Sequence, residues 1–259
     1  MPQAAGLHYF LQGAAGWSTL LIHGAGGTHL HWPSEVRRLR GRRIIAPDLP
    51  GHGRSEGSGC RSISGYAAAI LGLMDAIGIS QAVMVGHSMG SAVALTIALE
   101  HPGRVLGLGL LGTSAKFRVS RAILAALSDD ASFPAALDLV MEYSFSRGAG
   151  ARLKELARKR GESVPRAVWL ADFLACSDFD VSGRLASGLP PTLILASAAD
   201  RMTPLAEARY LRQLAPAARL EILPEAGHMM MQEQPGVVAN ALDRFLDSIK
   251  QRSQALSKP

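Results

Sequence analysis

Short apolar runs recur along the chain, near residues 7–11, 18–23, 43–47, 82–86, 105–111, 191–197 and 218–223. Each has the length of a strand and ends in a turn rich in glycine or polar residues. Between them lie stretches with apolar positions three and four apart, such as Met89 to Leu99. A last one is opened by Pro235 and runs to about Ile249. Strands alternating with helices predict an α/β fold, a mostly parallel sheet flanked by helices.

The pattern changes between Lys116 and Arg184. Strand-like runs disappear there, and helical periods take their place at Ala122 to Leu127, Ala135 to Phe145 and Val168 to Cys176. This predicts a helical cap inserted over residues 115–185. The core is then discontinuous, 1–114 and 186–250, and the polar segment 251–259 is expected to fray.

The most informative stretch is AVMVGHSMGSAVALTIAL, Ala82 to Leu99. An apolar run enters Gly86-His87-Ser88-Met89-Gly90, and an alanine-rich helical pattern follows at once. That is a strand, a sharp turn and a helix with a serine at the apex. The flanking glycines remove Cβ atoms where strand and helix crowd together. The helix N-terminus stabilises negative charge beside the serine. Gly53-Arg54-Ser55-Glu56-Gly57 has the same spacing, but a loop of glycine and serine follows it. Ser88 is therefore the candidate nucleophile, and Ser55 reads as a loop residue.

A serine hydroxyl needs a base to take its proton and an acid to orient that base. Of the eight histidines, His228 follows the strand-like run Arg219 to Leu223 and precedes the helix opened by Pro235. Asp200 follows the apolar run Thr192 to Ala196. Both fall at the carboxyl edge of the sheet, where open α/β sheets build their sites. The other roles open to them are a helix cap before Pro204 for Asp200 and a backbone-bonded loop histidine for His228.

The strand at 18–23 opens into His23-Gly24-Ala25-Gly26-Gly27. A glycine-rich turn there can point one backbone N–H inward, to act with the N–H of Met89 on a developing oxyanion. Ala25 is the first choice for that donor and Gly26 the second. Trp32, Met141, Phe145, Trp169 and Met229 are candidates for an apolar substrate pocket, against the alternative that they pack cap helices and core.

Taken together, HGAGG at 23–27, PDLPGHGRS at 47–55, GHSMG at 86–90, the Asp200 loop and GHMMMQEQP at 227–235 resemble the α/β-hydrolase superfamily, on its esterase, lactonase and carbon–carbon hydrolase side. The resemblance implies that Ser88 is the nucleophile, His228 the general base and then acid, and Asp200 its orienting carboxylate, with no cofactor. It implies that Asp48, His52 and Ser55 brace their loop rather than react. Ser91 departs from the second glycine of many relatives. The expected substrate is a small carboxylic ester or lactone. The rivals are carbon–carbon hydrolysis of ring-cleavage diketones, whose enzymes often place asparagine where His87 stands, and, from another class, a small-molecule receptor of the same fold.

Composition narrows the field further. Of 259 residues, 48% are hydrophobic, enough for a large core and against disorder. Lys and Arg number 27 against 21 acidic residues, a net charge of +6. The excess is spread along the chain with short clusters such as Arg158-Lys159-Arg160, which fits a solvated surface better than a nucleic-acid face. Cys60 and Cys176 stand far apart and suggest no disulfide framework. No signal peptide is visible and no run nears the ~18 apolar residues of a membrane span, so a cytoplasmic location is expected, with no membrane partner. His23, His29 and His31 lack a cysteine or carboxylate at ligand spacing, and no metal site is expected.

Overall fold

A computed structural model describes residues 2–13, 16–185 and 188–256. Ala186, where the second core segment is expected to begin, and Ser257 to Pro259 of the polar tail lie outside the described residues. The strands are β1 (Gln3–Ala4), β2 (Leu7–Gln12), β3 (Ser18–Ile22), β4 (Arg43–Pro47), β5 (Ala82–His87), β6 (Val105–Leu111), β7 (Thr192–Ser197) and β8 (Arg219–Leu223). They form one sheet in the order β1-β2-β4-β3-β5-β6-β7-β8. The β1/β2 and β2/β4 pairs are antiparallel and the others parallel. Every residue of β3 and β5 is buried, which is why the central strands read as unbroken apolar runs. The two-residue β1 is too short to leave a periodic signal. It pairs with β2 through a tight turn with Ala5 at φ +48° and Gly6 at φ +74°.

The helices are α1 (Ser34–Arg37), α2 (Ile63–Ala76), α3 (Met89–Glu100), α4 (Arg121–Leu127), α5 (Phe133–Ser144), α6 (Ala151–Glu162), α7 (Arg166–Ser177), α8 (Leu205–Leu214), α9 (Met230–Glu233) and α10 (Pro235–Leu256). One apolar layer joins the sheet to α2, α3 and α8, through Ile70, Leu73, Val93, Ile97 and Leu211. The layer on the opposite face joins it to α1, α9 and α10, through Val36, Met230, Leu242 and Ile249. Among the described residues no helix is long and apolar enough to cross a membrane.

Helices α4 to α7 lie between β6 and β7, in the segment where the sequence pattern predicts a cap. They enclose a cluster of their own that includes Leu127, Leu137, Val140, Trp169 and Phe173. At its neck the outgoing and returning chains meet: Val181 N–H donates to the Ala115 carbonyl at 2.9 Å, and Lys116 Nζ lies 2.8 Å from Asp180 Oδ2. Helix α6 is too polar to announce itself by apolar spacing, and its exposed face is stabilised by pairs such as Lys159 with Glu155. The closing helix also departs from expectation. It continues through Leu256, six residues into the segment read as frayed, because Gln, Arg, Ala and Leu are sound helix formers and no glycine or proline interrupts them.

The chain leaves β3 toward β4 on one side and enters β5 on the other, so the order reverses between β3 and β5. The two strand ends are very close there. A Cβ on Gly90 would run into the carbonyl groups of Ile22 and His23, backbone atoms that cannot swing aside. Gly90→Ala is expected to lower stability by about 1–3 kcal/mol, the usual cost of overpacking. A urea midpoint equal to that of the parent protein would show that the helix can retreat from β3.

Candidate active site

Ser88 sits between β5 and α3 at φ +53°, ψ −122°. Among the described residues only Ala5 shares a positive φ without being glycine. Such a conformation costs roughly 1–3 kcal/mol and persists only where surrounding bonds impose it. Here they do. Ser88 N–H donates to the Leu111 carbonyl at 2.9 Å, while its own carbonyl accepts from Ser91 N–H at 2.8 Å and from Ser91 Oγ at 2.6 Å. The serine that replaces the second glycine therefore ties down the turn.

Asp200 and His228 come together from the ends of β7 and β8. His228 Nδ1 donates to Asp200 Oδ2 at 2.8 Å, which leaves Nε2 as the basic nitrogen. Asp200 does not cap α8, which starts at Leu205 with no side-chain cap; its Oδ1 instead closes its own loop, accepting from the N–H groups of Met202 and Thr203, each at 2.8 Å. One carboxylate oxygen thus meets the histidine while the other orders the loop. Burial alone would raise the Asp200 pKa, but the His228 ring and the Thr203 hydrogen bonds outweigh it and hold the carboxyl below its ordinary value.

The backbone N–H groups of Ala25 and Met89 have no protein partner among the described residues, and Ala25 lines a cavity with Ser88 and His228. The Gly24 turn lies against the serine; a Cβ on Gly24 would sit 3.0 Å from Ser88 Cβ. Gly26, the second choice as oxyanion donor, is corrected by its geometry. Its N–H already donates to Asp172 Oδ2 at 2.8 Å, so it has no proton left to offer.

The cavity holds about 320 Å³, near the small end of the ~300–1,000 Å³ range of ligand pockets. Met141, Phe145, Trp169 and Met229 line it. Trp32 does not. It follows the 3-10 turn His29–His31 and is fully buried in the apolar layer that holds Leu21, Val36 and Ile44. Arg118 and Arg201 also line the cavity, whereas no carboxylate does among the described residues. The Arg201 guanidinium stacks 4.2 Å over the Tyr143 ring and pairs with Glu142 at 3.1 Å.

Three further groups shape the site without a motif of their own. Thr203 Oγ1 donates to Asp200 Oδ2 at 2.7 Å; the short D-x-x-T spacing before Pro204 is its one sequence signal. His87 Nε2 donates to the His228 carbonyl at 3.0 Å, with the two rings 4.7 Å apart. His31 joins the cavity wall. Ser55, by contrast, is occupied: its hydroxyl donates to the Asp48 carbonyl at 2.5 Å and accepts from His8 N–H at 2.9 Å. Of the three histidines weighed for a metal, His29 joins His8 on the Asp48 carboxylate, both at 2.8 Å. A cation among these three would have to displace both imidazole protons.

Residues 19–241 match the model of the Alpha/beta hydrolase family. The chain is similar to a 2-hydroxymuconate semialdehyde hydrolase of Pseudomonas putida, 30% identical over 253 residues that make up 89% of this chain and 87% of that protein. It also resembles the dihydrolipoyllysine-residue acetyltransferase component of an acetoin cleaving system of Pseudomonas putida, 33% identical over 248 residues. That match takes in 91% of this chain but 65% of the longer protein. Among solved structures, a thermophilic esterase from Thermogutta terrifontis superposes with a TM-score of 0.86 at 25% identity, over 94% of this chain and 93% of that one.

The buried histidines give the protein a pH signature. Burial holds His23 and His87 well below the ordinary imidazole value, and burial with nearby Arg160 pushes His31 down to about 4. Each is neutral in the fold at a pH where the unfolded chain takes up a proton. Their contributions are therefore complete above pH ~6.5 and are lost as the pH falls toward their folded values. His52 is raised, so its contribution is complete below pH ~6.5 and its loss belongs to higher pH. Stability should fall between pH 7 and pH 5, by up to about 1.4 kcal/mol per pH unit for each fully titrating group. Urea midpoints across that range check this, and His31→Gln should shallow the fall. An unchanged midpoint would mean that the fold binds these protons.

Proposed function

The chain belongs to the alpha/beta hydrolase family, and on that premise we propose that it is a serine hydrolase of carboxylic esters with short to medium acyl chains. The observation that carries the reading is one cavity lined by Ser88, His228 and Ala25, with Asp200 bonded behind the histidine. In this reading Ser88 Oγ attacks the ester carbonyl while His228 Nε2 takes its proton. Asp200 keeps Nδ1 protonated and stabilises the imidazolium that forms. The oxyanion rests on the N–H groups of Ala25 and Met89, the latter at the first turn of α3. His228 then protonates the leaving alkoxide, and water releases the acyl group by the same steps in reverse roles.

Ser88→Ala should lower kcat on the order of 10⁴–10⁶-fold, by analogy with other serine triads, and a phosphonate probe should add its mass at Ser88 in a digest. Labelling at Ser55 would overturn the assignment. Asp200→Asn should lower kcat by about 10⁴-fold through loss of the correct tautomer, while the fold survives. Full activity of that variant would remove Asp200 from the mechanism.

The cavity's size and walls bear on the substrate. Each buried methylene of an acyl chain contributes about 0.8 kcal/mol until the pocket is full, and further carbons meet steric resistance. On p-nitrophenyl esters kcat/KM should peak at short or medium chains and fall for long ones; a profile still rising at long chains would sink this. Trp169→Ala or Met141→Ala should move the peak to longer chains. A second reading, carbon–carbon hydrolysis of vinylogous 1,5-diketones, is favoured by the similarity to the semialdehyde hydrolase and by a cavity bearing two arginines and, among the described residues, no carboxylate. It predicts poor ester turnover at every length and good turnover of carboxylate-bearing diketones.

A further inference from the structure

A carboxylate carried by the cap reaches the turn that presents Ala25. Asp172 lies on α7 and is fully buried. Its Oδ2 accepts from Gly26 N–H at 2.8 Å and from His52 Nε2 at 2.9 Å, and its Oδ1 accepts from the Tyr66 hydroxyl. The three donors belong to three separate core segments: the turn after β3, the loop after β4, and α2. His52 Nδ1 in turn faces the Pro50 carbonyl at 3.0 Å, so both ring nitrogens meet acceptors and both carry protons. Burial pulls His52 down, but Asp172 and these hydrogen bonds more than offset it. The buried carboxylate therefore has a charged partner as well as a full set of donors, the condition under which such a group is tolerated inside a protein.

The placement on Gly26 is what gives this cluster a bearing on chemistry. Gly24 to Gly27 is a β-turn closed by Gly27 N–H on the Gly24 carbonyl at 3.1 Å, with Gly26 at φ +61°. Glycine in that third position admits both orientations of the central peptide. The Gly26 N–H belongs to that central peptide, so its bond to Asp172 selects one orientation. Trp169, one turn earlier on α7, rests on Gly26 itself; a Cβ there would run into the indole. One face of a cap helix thus holds the turn by a hydrogen bond and by a packed ring. The neighbouring N–H, that of Ala25, is left without a protein partner beside Ser88.

We propose that Asp172 is a positioning residue for the oxyanion donor Ala25, acting through the Gly26 N–H and coupling the seating of α7 on the core to the readiness of the site. The inference rests on the assignment of Ala25 and Met89 as oxyanion donors.

The test compares Asp172→Ala, Asp172→Asn and Tyr66→Phe on an ester that the parent protein hydrolyses, with an arylboronic acid as a tetrahedral mimic and a planar amide isostere as a ground-state mimic. Loss of one oxyanion donor costs about 10²–10³-fold in kcat, and a displaced donor should cost Asp172→Ala roughly 10- to 100-fold. KM and amide affinity should change little, whereas boronate affinity should fall with kcat. Asp172→Asn can place its amide oxygen on Gly26 N–H and its NH₂ on the Tyr66 oxygen, and it should restore most of the kcat. Tyr66→Phe touches only Oδ1 and should lower the thermal midpoint while kcat stays within about 3-fold.

Should Asp172→Ala fail to fold, Asp172→Glu keeps the charge but displaces the acceptor, and it should show the same split between kcat and KM. Folded variants with the parent's kcat and boronate affinity would overturn the proposal. So would a loss shared equally by boronate and amide, which marks general collapse of the pocket. A parent protein that turned over no ester and bound no boronate at Ser88 would overturn the hydrolase reading, and this inference with it.

Discussion

The close approach of α3 to the end of β3 constrains everything built at the carboxyl edge of the sheet. With backbone carbonyls of Ile22 and His23 directly below Gly90, the helix can begin only after a turn that holds Ser88 at a positive φ. That turn is expensive, and it is maintained by bonds from two sides: Ser88 N–H to the Leu111 carbonyl at the end of β6, and Ser91 in the first turn of α3 back onto the Ser88 carbonyl. The same approach brings the glycine turn after β3 against Ser88. A helix allowed to sit further out would relieve the strain and separate the serine from the N–H groups of Ala25 and Met89 together.

Around this point the protein buries several polar side chains, whose hydrogen-bonding roles are set by protein partners. His23 accepts the Leu49 N–H at Nε2 and therefore carries its proton on Nδ1, facing the Gly24 carbonyl. His52, 4.9 Å from it, faces acceptors on both sides and carries two protons. Neighbouring imidazoles in one dry region are thus held in opposite charge states by what each nitrogen meets. A cation beside His23 further disfavours a second one there, which agrees with the lowering of its pKa by burial and by His52. The loop carrying Asp48, His52 and Ser55 is a brace in the literal sense. The Asp48 carboxylate takes N–H groups from His8 and His29, and burial alone would raise its pKa, but these bonds hold it well below the usual carboxylate range.

Much of the framework was legible because burial on both faces leaves uninterrupted apolar strands, and because glycine and proline mark where strands β3, β5, β7 and β8 give way to loops. Polar elements were not. Helix α6 and the extension of α10 carry no apolar signal over much of their surface, yet ion pairs and good intrinsic propensity keep them helical. At the site, local spacing found Ser88, Asp200 and His228 as candidates, while long-range register decided the rest. Trp32 lies close in sequence to the Gly24 turn but is buried in the apolar layer that holds Leu21, Val36 and Ile44. Asp172 is 146 residues from the Gly26 N–H that it accepts, a separation over which no spacing rule operates.

That separation also explains why reaction class and substrate class are unequally readable. The groups suited to move a proton and stabilise an oxyanion all come from strand ends of the core, where backbone geometry leaves few choices. The groups that would meet the rest of a substrate come largely from α5, α7 and the segment before α4, whose packing is specified by a separate apolar cluster. Cap and core could in principle vary independently, and a cavity between two independently packed bodies would be poorly defined. Asp172 removes that freedom. Its three bonds reach the turn after β3, the loop after β4 and α2 at once, so α7 cannot shift without leaving a buried carboxylate and its imidazole partner unpaired. Any displacement of the helix that carries the pocket wall over the serine would have to break these three bonds together.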